Sequence, residues 1–164
     1  MTNEIGFGSK RIGSNELSPS DVRARVLAEH GMLRERLVEL QSLARAVTIE
    51  LTLVGALRTC LRKLIMEFSM HLESEDELLF PLIETIDAWG HERASRLREE
   101  HAVQRAFLVC IFERVNAPQP PIELALDADA LVLRIFRDMK EEESELLTDE
   151  LLRDDVVAID QFCG

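Results

Sequence analysis

The sequence predicts an all-α protein, an antiparallel up-down-up-down four-helix bundle resembling no sheet-containing class. Three observations carry this. Leu and Ala are frequent, aromatics are only 5% of the 164 residues, and Gly and Pro are few, a composition that favours helix. Apolar residues recur at three- and four-residue steps along four stretches, and nothing alternates with period two. Short links join the stretches, which suits antiparallel neighbours.

The elements follow in order. Residues 1–17 are polar, carry Gly6, Gly8 and Gly13, and read as an N-terminal arm. In SPSD, Ser18 caps, Pro19 takes the first helical position and Asp21 completes a capping box. The first helix runs to about Ala46 with a stripe of Val26, Leu27, His30, Leu33, Leu37 and Leu40. A turn is expected near 46–52. The second helix reaches about Ile86, with Leu64, Phe68, His71, Glu75, Leu78 and Leu82 in line, and Pro81 predicts a kink or an early end. DAWGH (87–91) is a turn. The third helix, to about Val115, aligns Ala94, Leu97, His101, Leu108 and Phe112. NAPQPP (116–121) is a stop and linker. The fourth helix is expected from about Asp127 to Arg153, with Leu131, Ile135, Asp138, Glu142 and Leu146 on one face. The bundle domain is thus 18–153, followed by a tail, 154–164, whose VVAI could dock on it.

Charge excludes some functions. At −12 net, the chain repels nucleic acids and anionic membrane surfaces, and neither is expected as a partner. The longest purely apolar run, FLVCIF, is far too short to span a bilayer. MTNEIGFGSKRIG lacks the apolar core of a secretory leader. Cys60, Cys110 and Cys163 form no C-x-x-C pair and read as reduced thiols, so a cytoplasmic location is expected. Cys60 and Cys110 fall mid-helix and read as small hydrophobes.

The two halves echo each other. Glu29-His30 is followed by Arg34 and Leu37, and Glu100-His101 by Arg105 and Leu108. Further on, His71 precedes Glu75, Asp76 and Leu79 as Asp138 precedes Glu142, Glu143 and Leu146. Two helical hairpins related in this way bring His30, His71, Glu75, His101, Asp138 and Glu142 to a common level inside the bundle. Three imidazoles and three carboxylates in an apolar core are costly unless something compensates them. Cations ligated by all six would do so, and mixed imidazole and carboxylate donors suit iron, manganese or zinc. Residues at i and i+4 on one helix face can reach one site.

These residues resemble the hemerythrin-like, HHE cation-binding family. The matching stretches are AEHGMLRERL, FSMHLESEDELLFPLIE, REEHAVQRAF and RDMKEEESELL. The resemblance spans roughly residues 20–152 and implies a carboxylate-bridged di-iron centre in a four-helix bundle. Carried over by position, His30, His71 and Glu75 would serve one iron, His101 and Glu142 the other, with Glu75 and Glu142 as bridges. Two positions depart from the pattern: Asp138 stands where helix 4 carries a histidine, and Arg105 replaces the second histidine of helix 3. More carboxylate ligation favours ferric iron and disfavours reversible oxygen carriage. The ferritin-like E-x-x-H pattern is absent before His30, His71 and His101.

The resemblance implies a non-haem di-iron protein that binds or senses oxygen, nitric oxide, peroxide or iron, with a small diatomic or peroxide ligand as partner. No nucleophile, general base or substrate-pocket signature suggests hydrolysis or group transfer; a redox activity on peroxide or nitric oxide would fit an open iron position. The competing reading is a metal-free or metal-poor helical interaction module with a protein partner. In it Arg34 and Arg105 turn inward and pair with Glu75, Asp138 and Glu142 as a salt-bridge core. An iron store would need many irons per assembly, and the sequence holds one centre. His91, ten residues before His101, reads as a helix-start or surface residue.

Overall fold

In a computed structural model, residues 17–154 are described. Helix α1 spans Pro19–Val47, α2 Val54–Ile86, α3 Gly90–Asn116 and α4 Pro121–Glu145, with one 3-10 turn at Leu51–Leu53. The described residues contain no strand. The helices form the expected antiparallel bundle: α1 packs on α2, α2 on α3, and α4 closes back on α1, while α3 and α4 touch only sparsely. The arm (1–16) and the end of the tail (155–164), with VVAI and Cys163, lie outside the described residues.

The start of α1 is built as its sequence requires. Ser18 accepts from the Asp21 amide and Asp21 accepts from the Ser18 backbone, a full capping box, with Pro19 in the first turn. Asp154, just past the bundle, fastens the same turn by accepting from the Ser20 amide (3.0 Å) and hydroxyl (2.7 Å).

Several expectations are corrected. Helix α2 runs on through Pro81 to Ile86. Pro81 is exposed, so the backbone carbonyl it frees faces solvent rather than the core. Helix α4 begins at Pro121, six residues before the expected start, because proline needs no amide partner in a first turn. It ends at Glu145 rather than Arg153. There the Leu147 amide reaches back to the Glu142 carbonyl (2.9 Å), and the Thr148 hydroxyl accepts from the Leu151 amide (3.2 Å), local bonds that compete with helix continuation. On α3 the inward position is Ile111, not Phe112, which is 45% exposed. Leu27, Leu78 and Leu82 lie at the edges of their stripes, half-buried.

The core is in two parts. One apolar cluster runs from Leu33 to Val47 on α1 and takes in Leu57–Leu72, Leu108–Val115 and Leu124–Met139. The other gathers Val22, Val26, Leu79, Ile83, Leu97, Leu146 and their neighbours. On every helix the change from one cluster to the other falls at a buried polar residue: His30, His71 with Glu75, His101, and Glu142. A polar layer therefore crosses the bundle between two apolar halves.

Candidate metal centre

Five buried side chains from all four helices meet in this layer. His30, Glu75 and His101 are wholly inaccessible, and His71 and Glu142 nearly so. Each imidazole turns Nε2 inward. His30 and His71 bring these nitrogens to 3.2 Å of each other. Glu75 spans the layer: Oε1 lies 3.3 Å from His71 Nε2 and 3.8 Å from His30 Nε2, while Oε2 lies 3.2 Å from His101 Nε2. Glu142 does the same from the facing helix, with Oε2 3.3 Å from His30 and Oε1 3.7 Å from His101. Both carboxylates thus straddle the gap between the His30–His71 pair and His101.

Behind each imidazole stands a carboxylate that sequence reasoning did not assign to the site. His30 Nδ1 meets Glu143 (2.8 Å), His71 Nδ1 meets Glu29 (2.9 Å) and His101 Nδ1 meets Asp76 (2.8 Å). An ionised carboxylate only accepts, so each Nδ1 carries the proton and donates it outward. That fixes each ring and leaves Nε2 to face the centre, the arrangement found around metal-ligating histidines. A cation backs each carboxylate in turn. Arg34 donates to Glu143 (2.6 Å), Arg105 to Asp76, and Arg25 with Ser74 to Glu29. The signal lay in the repeat, where Glu29, Asp76 and Glu143 each adjoin a central residue in sequence and so flank it on the helix.

These contacts settle two sequence-based expectations. Arg34 and Arg105 do not turn inward onto Glu75, Asp138 and Glu142; they bind the outer carboxylates, and the metal-free core built on them is overturned. His91 is 83% exposed by side chain and pairs with Glu84 at the surface.

The electrostatics are those of a compressed charge cluster. Burial pulls the His30 imidazolium toward neutrality, but the Glu142, Glu75 and Glu143 carboxylates outweigh it and raise its pKa to about 10. His101 is likewise opposed by burial and raised to about 10 by Glu142, Glu75 and Asp76. For Glu75 burial pushes upward, yet His101 and His30 hold its carboxyl well below the usual range. Glu143 and Glu29 are also lowered against burial, chiefly by Arg34 with His30 and by His71 with Arg25.

Asp138 is placed differently from the other five. It is 8% exposed, but its carboxylate faces Arg134 (3.4 Å) and Arg137 (3.8 Å) on its own helix. Burial raises its pKa despite those arginines, with Glu142 and Glu141 adding to the rise. The donors of His30, His71, Glu75 and Glu142 lie within 4.8 Å of one another; neither Asp138 nor His101 is among them, but His101 Nε2 reaches Glu75 at 3.2 Å.

A family model described as the hemerythrin HHE cation binding domain matches residues 21–149. The chain belongs to this hemerythrin HHE family. No curated protein and no solved structure matches the chain in the comparisons made with each. The HHE domain is a cation-binding one, and the buried groups fit a cation. Both Glu75 oxygens and His101 Nε2 are buried without an aligned hydrogen-bond partner, an expensive condition in a protein interior. Donors sharing one ion at about 2.1 Å stand roughly 3–4 Å apart, the range of the Nε2 and carboxylate separations here. In this HHE chain, His30, His71, Glu75 and Glu142 could hold one ion, and His101 with the second oxygens of Glu75 and Glu142 could hold another. No described helix is long and apolar enough to cross a membrane.

Proposed function

We propose that this HHE protein holds a carboxylate-bridged pair of iron ions and uses it to bind or sense oxygen, nitric oxide or peroxide. One observation carries the reading: Glu75 and Glu142 each present one oxygen to the His30–His71 side and the other to His101. One oxygen toward each side is the arrangement a carboxylate bridging two ions adopts. Imidazole and carboxylate in mixture suit iron. A bound iron pair would supply redox chemistry and an open coordination position.

The chain's own residues do the rest. Glu143, Glu29 and Asp76 hold the Nδ1 protons, so that each ring keeps its Nε2 lone pair toward the centre. The two apolar clusters exclude water from either end. The His101 side offers one imidazole where the other side offers two, because Asp138 is engaged by arginines. That poorer side is where a small ligand would find room.

Iron-loaded, oxidised protein is expected to be coloured, and its absorbance to change on adding nitric oxide or peroxide. In Glu75→Gln both the colour and the response should be lost. Colour and response kept in Glu75→Gln would overturn the bridging role. A second reading, a helical interaction module without metal, is favoured by the carboxylates that already face His30 and His101 on both ring nitrogens. Protein that stays colourless after anaerobic iron loading would select it.

A further inference from the structure

Between α3 and α4, which touch only sparsely, lies a cleft of about 410 Å³. Its lining includes the exposed Glu100 and Glu141 and also Glu142, a residue of the buried centre. Six carboxylates and three arginines line it, so its field is net negative and favours cations over anions. Arg96 is occupied by Glu145 and Glu100, Arg137 by Glu141 and Asp138, and Arg134 by Asp138.

A second observation points to a ligand. Gln104 is 4% exposed, yet its Oε1 has no hydrogen-bond partner, and it lines the cleft. Asp138 Oδ2, on the facing helix, makes no hydrogen bond but is ion-paired with Arg134 at 3.4 Å. Gln104 lies one turn beyond Glu100 on α3, and Glu142 one turn beyond Asp138 on α4, so each pair shares a helix face. The cleft therefore offers oxygen donors alone, an amide carbonyl and carboxylates, whereas the centre offers nitrogen as well. Oxygen-only sets suit hard divalent cations that keep part of their water shell.

We propose that this cleft is a loading site for divalent cations: Gln104 receives the hydrated ion behind a Glu100–Glu141 mouth, and Glu142 passes it to the imidazole centre. The inference rests on the metal-centre reading. It gives a reason for the sparse packing of α3 on α4, which leaves a route through an otherwise closed bundle.

The test is the rate of Co²⁺ uptake by the full-length protein, followed by the visible absorbance of the imidazole-bound ion. Gln104→Leu, and separately Glu100→Gln with Glu141→Gln, should each slow uptake roughly tenfold, with the final Co²⁺ stoichiometry unchanged. Glu113→Gln with Glu123→Gln removes the same charge at the far end of α3 and α4 and should leave the rate unchanged. Equal rates in all variants, or equal slowing by the near and far pairs, would overturn the cleft as a loading site while leaving the centre intact. A wild-type protein that takes up no Co²⁺ would overturn the centre itself, and this inference with it.

Discussion

Each histidine of the centre heads a three-part chain, with Nε2 inward, a carboxylate on Nδ1 as the middle link and a cation behind the carboxylate. Removing the middle link leaves the ring free to rotate and weakens it as a donor. Asp76→Asn and Glu143→Gln are therefore expected to lower metal affinity about 10–100-fold without abolishing binding, as measured by competition with a chelator of known strength. Affinity unchanged in both would mean that packing alone orients the rings; Phe80 lies 5.0 Å from the His101 ring, centroid to centroid, and Phe68 5.9 Å from that of His71. At this scale the sequence was readable in part. Histidines at matching places in two halves pointed inward because their neighbours at three- and four-residue steps were apolar. The outer carboxylates were harder to see, because a Glu or Asp beside a core position has the look of an ordinary solvated residue. Asp138 kept the helical phase of a central residue, but phase does not report that Arg134 and Arg137 are close enough to hold its carboxylate.

Helices were legible wherever amphipathic phase and end signals agreed. The box at Ser18 and Asp21 set the start of α1, and the absence of a partner for a proline amide set the start of α4, a signal masked by reading NAPQPP as linker throughout. The end of α4 could not be read from periodicity, since Leu146, Leu147 and Leu152 remain apolar and buried after the helix has stopped. The α2–α3 connection carries a constraint that composition does not reveal. The Trp89 amide donates to Asp87 (2.8 Å), and Gly90 follows so closely on the end of α2 that a Cβ there would stand 2.3 Å from the Ile83 carbonyl oxygen and 2.8 Å from that of Glu84. Backbone atoms cannot yield as a flexible side chain would. Gly90→Ala is expected to destabilise the protein by roughly 1–3 kcal/mol, read as a lower denaturant midpoint at unchanged slope. A midpoint equal to wild type would show that the turn opens freely.

For the whole molecule, a polar layer between two apolar clusters makes stability depend on what neutralises it. In the metal-free protein, His30 and His101 have pKa values raised from 6.5 to about 10. Their contribution is complete below pH 6.5 and is lost as pH rises through 10. Glu75 is depressed from 4.5, so its contribution is complete above pH 4.5 and is lost as the pH falls below that. Metal-free protein should accordingly be most stable between these limits and soften on the alkaline side. A cation requires neutral imidazoles, so loading releases the His30 and His101 protons, and the gain in Tm on loading should grow from pH 6.5 upward. A gain independent of pH would mean that those imidazoles are not ligands. The central claim, two irons held between bridging glutamates, is tested most directly by elemental analysis of iron per chain after anaerobic loading and removal of excess. About two irons per wild-type chain are expected. One iron or none in the folded wild-type protein would contradict the claim.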